Sequence, residues 1–97
     1  MIRHCVLIDL ADTATDADRQ AMIDGLRVLP SIIDEISAYT VGLDLGLVDG
    51  NASLAVVGDF ETKAGFEVYA THPDHVRVVK ELIKPFAVGR SAVQLEI

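Results

Sequence analysis

Two uninterrupted apolar runs constrain this chain more than any other feature. Val6-Leu7-Ile8 and Leu54-Ala55-Val56-Val57 each lie inside a segment rich in strand-forming residues, with no polar residue interposed. A strand turns successive side chains to opposite faces. A run without alternation therefore asks for both faces to be kept dry. The chain must find that cover within 97 residues, a length that suits one domain, 1–97, and leaves little room for a second core.

Residues 2–10 read as the first strand, bounded by the polar stretch Ala11–Asp18. Thr15 can cap a helix whose first turn carries Asp16 and Asp18, acids placed at the positive end of the helix dipole. Ala21, Met22, Gly25, Leu26 and Leu29 keep a helical spacing, and Pro30 predicts a stop near Leu29 with one further turn over 31–35. Ile36–Leu43 is a second strand and Ser53–Phe60 a third. The loop between them holds Gly46, Asp49-Gly50 and Asn51, which is hairpin chemistry. Thr62–Thr71 is a helix with Phe66 and Tyr69 on one side, broken by His72-Pro73. Asp74–Val88 is predicted as the last helix, with Pro73 at its first position, Pro85 disturbing its end and Gly89 stopping it. Ser91–Ile97 is a fourth strand with Val93, Leu95 and Ile97 on one face.

The order is βαββαβ, the split βαβ or ferredoxin-like arrangement, an α+β fold around a four-stranded antiparallel sheet. Two helices cover one sheet face. The apolar runs predict that the other face is covered by a second copy, giving a homodimer through sheet faces.

Charge narrows the partners. Lys and Arg total 8 against 15 Asp and Glu, a formal charge of −7. That balance argues against nucleic acid and against an anionic membrane surface, since both require clustered cations. One cysteine, Cys5, permits no intrachain disulfide, and no finger-type Cys/His spacing is present. With no leader-like segment and no apolar stretch long enough to span a bilayer, a cytoplasmic protein is expected. No serine elbow, phosphate loop or dinucleotide fingerprint appears.

His75 is the most informative polar residue. On a helical wheel it falls within the stripe of Val79, Leu82 and Phe86, while Arg77, Lys80, Glu81 and Lys84 lie opposite. A histidine on that face is directed at the sheet. Burial and the nearby helix N-terminus both favour the neutral ring, which suits a general base. The same position also suits a core histidine with one satisfied hydrogen bond. Tyr69 can bring a phenol to the same space, or sit at the rim with its hydroxyl in water. His4 shares a strand face with Ile2, Val6 and Ile8, which fits either a cavity wall or an interface. His72, just before Pro73, reads as the cap of the last helix. Its spacing to His75 makes a poor metal site, because no acid completes a recognised set. Cys5, in mid-strand, reads as packed.

The segment Tyr69-Ala70-Thr71-His72-Pro73-Asp74-His75-Val76, the strand opening on Arg3-His4, and the βαββαβ order together resemble the stress-responsive A/B barrel (Dabb) family along essentially the whole chain. Leu29-Pro30 and Phe60-Glu61 fall at matching places. The resemblance implies a homodimeric α/β barrel. It is similar in this segment to a plant polyketide cyclase of that family, which implies catalytic roles for Tyr69 and His75 in cofactor-free aldol cyclisation, with His4 near the same cavity. Two features depart from that cyclase. Leu54-Ala55-Val56 stands where the cyclase has a cavity histidine, and the first helix has no tyrosine.

Two functions follow from these readings. One is a cofactor-free enzyme, cyclase- or lyase-like, acting on a small apolar carbonyl compound. The other is a non-catalytic stress-associated or ligand-binding protein. Tyr69 and His75 around one cavity favours the first. A filled interior, with His75 tied to a backbone carbonyl, favours the second.

Overall fold

The computed structural model describes residues Met1–Ile97. Four strands, β1 (Ile2–Leu10), β2 (Ile36–Leu43), β3 (Leu54–Phe60) and β4 (Ala87–Glu96), form one antiparallel sheet in the order β2-β3-β1-β4. Three helices lie on one face of that sheet: α1 (Asp16–Arg27), α2 (Lys63–Thr71) and α3 (Pro73–Val78). The βαββαβ order and antiparallel pairing expected from the sequence are both present. No helix is long and apolar enough to cross a membrane.

Local chemistry explains the helix starts. Thr15 and Asp18 form a reciprocal capping box, with Thr15 Oγ1 accepting from the Asp18 N–H at 3.1 Å and Asp18 Oδ2 accepting from the Thr15 N–H at 2.9 Å. Thr62 Oγ1 caps α2 by accepting from the Gly65 N–H. His72 caps α3 as expected, its Nδ1 accepting from the Asp74 N–H at 3.1 Å.

The end of the last helical segment departs from the sequence reading. Helix does not continue to Val88. Regular α-helix covers Pro73–Val78, and Val79–Ile83 is a π turn closed by the Lys84 N–H on the Val79 carbonyl at 2.8 Å. Pro85 has no N–H to carry the helix onward, and the chain turns into β4 by Ala87. Gly89 is therefore a strand residue, paired with Asp9 beside an irregularity in the β1–β4 ladder. A Cβ there would lie 2.8 Å from Asp9 Oδ2, so glycine permits the close approach. The predicted turn after α1 also starts earlier than expected, as a 3-10 turn over Leu29–Ser31 with Pro30 inside it.

The π turn splits the apolar stripe predicted for this helix. Val78 and Leu82 pack toward Gly25 of α1, where a Cβ would meet Leu82 Cδ1 at 2.9 Å. His75, Val79 and Ile83 line a space over the sheet. The core between sheet and helices includes Met22, Leu26, Leu29, Phe60, Tyr69 and Val78. The opposite sheet face carries Cys5, Leu7, Val57, Val93 and Leu95 with no element over it, and Arg3 and Asp59 form a two-point ion pair there at 2.8 and 2.9 Å.

Candidate functional site

One row of residues crosses the sheet on its helix-covered face: Tyr39 of β2, Gly58 of β3, His4 of β1 and Gln94 of β4. Gly58 carries no side chain, and the Tyr39 ring lies over it, 3.2 Å from where a Cβ would stand. Tyr39 thereby reaches the Tyr69 hydroxyl of α2, oxygen to oxygen at 2.7 Å. Burial pushes both phenols above their ordinary range, so both stay protonated near neutrality. The Tyr69 ring stacks obliquely on His75 with centroids 4.2 Å apart, and His4 meets the Tyr69 ring edge at 6.0 Å.

His4, Tyr69 and His75 line one cavity of about 200 Å³, walled otherwise by Val6, Ile8 and Val56 of the sheet and Leu26, Val79 and Ile83 of the helical layer. The structure thus brings together all three predicted site residues. Of the two readings for His4, it places the ring at the cavity wall, 5% exposed, on the helix-covered face. His72 stays outside as a cap. Cys5 is on the opposite sheet face, half-buried.

Hydrogen bonds set the two imidazoles in opposite tautomers. His75 Nδ1 lies 3.2 Å from the Ala70 carbonyl, which can only accept, so Nδ1 carries the proton and Nε2 holds the free lone pair. The Gln94 amide nitrogen donates to His4 Nδ1 at 2.9 Å, so the proton of the neutral His4 ring is on Nε2. One ring offers an acceptor and the other a donor. Burial lowers the His75 pKa below 6.5 against the opposing bond to Ala70, and the Arg90 and His72 charges lower it further. Burial, then Arg90, then His75 lower His4 to about 4. Both rings are neutral at pH 7.

His75 and Tyr69 share one cavity, a feature of the first reading, and His75 is bonded to the Ala70 carbonyl, a feature of the second. That bond occupies only Nδ1. It fixes the tautomer and ring orientation and leaves Nε2 free.

Four participants escaped sequence reasoning. Gln94 and Tyr39 become visible only once strand register is known. Arg90 and Lys84 also line the cavity. Arg90 was hidden by the misplaced helix end, because its strand position opposite Ile8 sets its side of the sheet.

His4 carries a testable consequence. Its pKa is lower in the folded chain than in the unfolded one, so between about pH 6.5 and 4 the unfolded state binds more protons. This histidine's contribution is full above that window and is lost as pH falls through it, by on the order of 3 kcal/mol. Ring-proton NMR should show His4 titrating near pH 4. A midpoint at 6 or above would mean the ring is hydrated.

A neutral acceptor, a neutral donor and a phenol thus surround one apolar space on a ferredoxin-like fold. Residues 2–97 match the stress responsive A/B barrel domain (Dabb), and the chain belongs to that family. It is 33% identical over 94 residues to a stress-response A/B barrel domain-containing protein of Arabidopsis thaliana, covering 96% of this chain and 35% of that protein. The chain thus spans about a third of that relative's length. A dimeric ferredoxin-like protein of unknown function from Thermobifida fusca superposes with a TM-score of 0.91 at 40% identity, covering 99% of this chain and 90% of that one. The hydroxynitrile lyase of Passiflora edulis superposes with a TM-score of 0.85 at 20% identity, covering 99% and 92%, a likeness of fold alone.

Proposed function

We propose that this chain is a homodimeric, cofactor-free enzyme that removes a proton next to a carbonyl of a small apolar substrate. The carrying observation is the pair of oppositely tautomeric histidines beside a buried phenol in one cavity. His75 Nε2 takes the proton from the α-carbon. The C–H bonding pair becomes the enolate, and the charge collects on the carbonyl oxygen. Tyr69, whose hydroxyl can accept from Tyr39 and still donate its own hydrogen, holds that oxygen; His4 Nε2–H is a second donor. The enolate then adds to an internal carbonyl, expels a leaving group, or takes the proton back. The dimeric Thermobifida fusca neighbour supports the homodimer, and the Passiflora edulis lyase is an enzyme of the same fold.

Proton removal can be read without knowing the natural substrate. Ethyl 3-oxohexanoate in D₂O exchanges its C2 protons, and ¹H NMR follows their loss. The protein should accelerate this exchange beyond an equal concentration of free imidazole, and the rate should saturate with ester. A rate equal to that of imidazole favours the binding-protein reading instead, in which the Ala70 bond is only structural.

A further inference from the structure

The cations of this chain are distributed unevenly. Of its eight Lys and Arg residues, Arg3, Arg19 and Arg77 pair with carboxylates and Arg27 donates to the Val41 carbonyl. Of the remaining four, Arg90 and Lys84 line the cavity that holds His4, Tyr69 and His75. Lys80 lines an adjoining depression that shares His75, Val79 and Lys84 with it. No Asp or Glu lines either space, in a chain with 15 of them. Three unpaired cations thus surround the way to His75 on a protein of net charge −7.

We propose that the cavity takes an apolar ligand bearing one carboxylate, with its hydrocarbon body against Val6, Ile8, Val56 and Val79 and its carboxylate held by Arg90 and Lys84 at the mouth. This deepens the enzyme reading and rests on it for the cavity being a ligand site. The guanidinium offers a two-point match to a carboxylate, and the lysine adds a mobile point charge. Cations beside low-dielectric walls also concentrate field lines, so the mouth attracts anions that the rest of the surface repels. Arg90 is close enough for its charge to act on His4, Tyr69 and His75 alike. A carboxylate seated on it would be beside the reacting groups.

Octanoate and octanamide share shape and differ in charge, so their titration against the full chain, followed by calorimetry and by His75 ring-proton shifts, tests this directly. Octanoate should bind roughly tenfold more tightly than octanamide at low salt, a preference that added salt reduces. Arg90→Gln and Lys84→Gln should each shrink the preference, and the double variant should abolish it, with octanamide affinity unchanged. Lys63→Gln, remote from the cavity, should leave it intact. Equal binding of the two probes, or a preference for octanoate that survives the double variant, overturns the anion assignment and leaves the cavity reading standing. If neither probe binds or shifts His75, both fall together.

Discussion

His75→Ala is expected to slow C2-proton exchange of the β-keto ester by roughly 10²- to 10⁴-fold, the usual contribution of a positioned general base. The expectation depends on geometry more than on residue type. His75 is the only histidine at the cavity whose free nitrogen is an acceptor, because the Ala70 carbonyl holds the proton on the other one. His4 cannot substitute, since the Gln94 amide occupies its lone pair. The pH profile should be flat through neutrality. The His75 pKa lies below 6.5, so the rate should fall only on acidification past that value. Added imidazole should restore part of the lost rate if the vacated space admits it. His75→Gln keeps most of the volume and a hydrogen-bonding group, and should be as slow as the alanine variant. Either variant within twofold of the parent, with the fold intact by circular dichroism, removes His75 from the chemistry.

Element order, strand number and the two-sided apolarity of β1 and β3 were legible because each is a local signal. Periodicity, Gly/Pro punctuation and helix caps depend on neighbours within a few residues. The point where the last helical segment stops was not, since a π turn leaves no pattern that separates it from a helix with one extra residue. That single error moved Arg90 out of the sheet and concealed one of the cavity's two cations. His75 and His4 stand out because a polar ring in an apolar stripe is anomalous on sequence alone, whereas Tyr69 is singled out chiefly by the family resemblance. Tyr39 and Gln94 are ordinary strand residues there. Only the register that sets Tyr39, Gly58, His4 and Gln94 in one row gives them a role.

Leu7→Asp is expected to convert the protein from a species of twice 10.4 kDa to the 10.4 kDa monomer at micromolar concentration. Leu7 is 50% exposed near the centre of the helix-free face, and Val93 at 49% and Leu95 at 47% continue that face along β4, opposite Cys5 and Arg3. Leu7 belongs to the first contiguous apolar run, Val93 and Leu95 to the apolar side of β4, and no element of this chain covers them. The leucines of the β2–β3 loop extend the same face through a groove of about 410 Å³ that Leu7 and Ala55 share with Leu45 and Leu47. In a two-fold pair each substitution enters twice, so two carboxylates must be desolvated in an apolar contact. At several kcal/mol per ion, the dissociation constant should rise by about 10³-fold or more. The monomer should keep its secondary structure and its His75 tautomer, because the cavity is built on the opposite face from residues of one chain. Val68→Asp, equally a charge on an exposed apolar site but on the helix layer, should leave the dimer intact. Sedimentation velocity decides among these. A parent chain that runs only at 10.4 kDa removes the dimer, and a Leu7→Asp variant that dimerises as tightly as the parent places the contact elsewhere than on this sheet face.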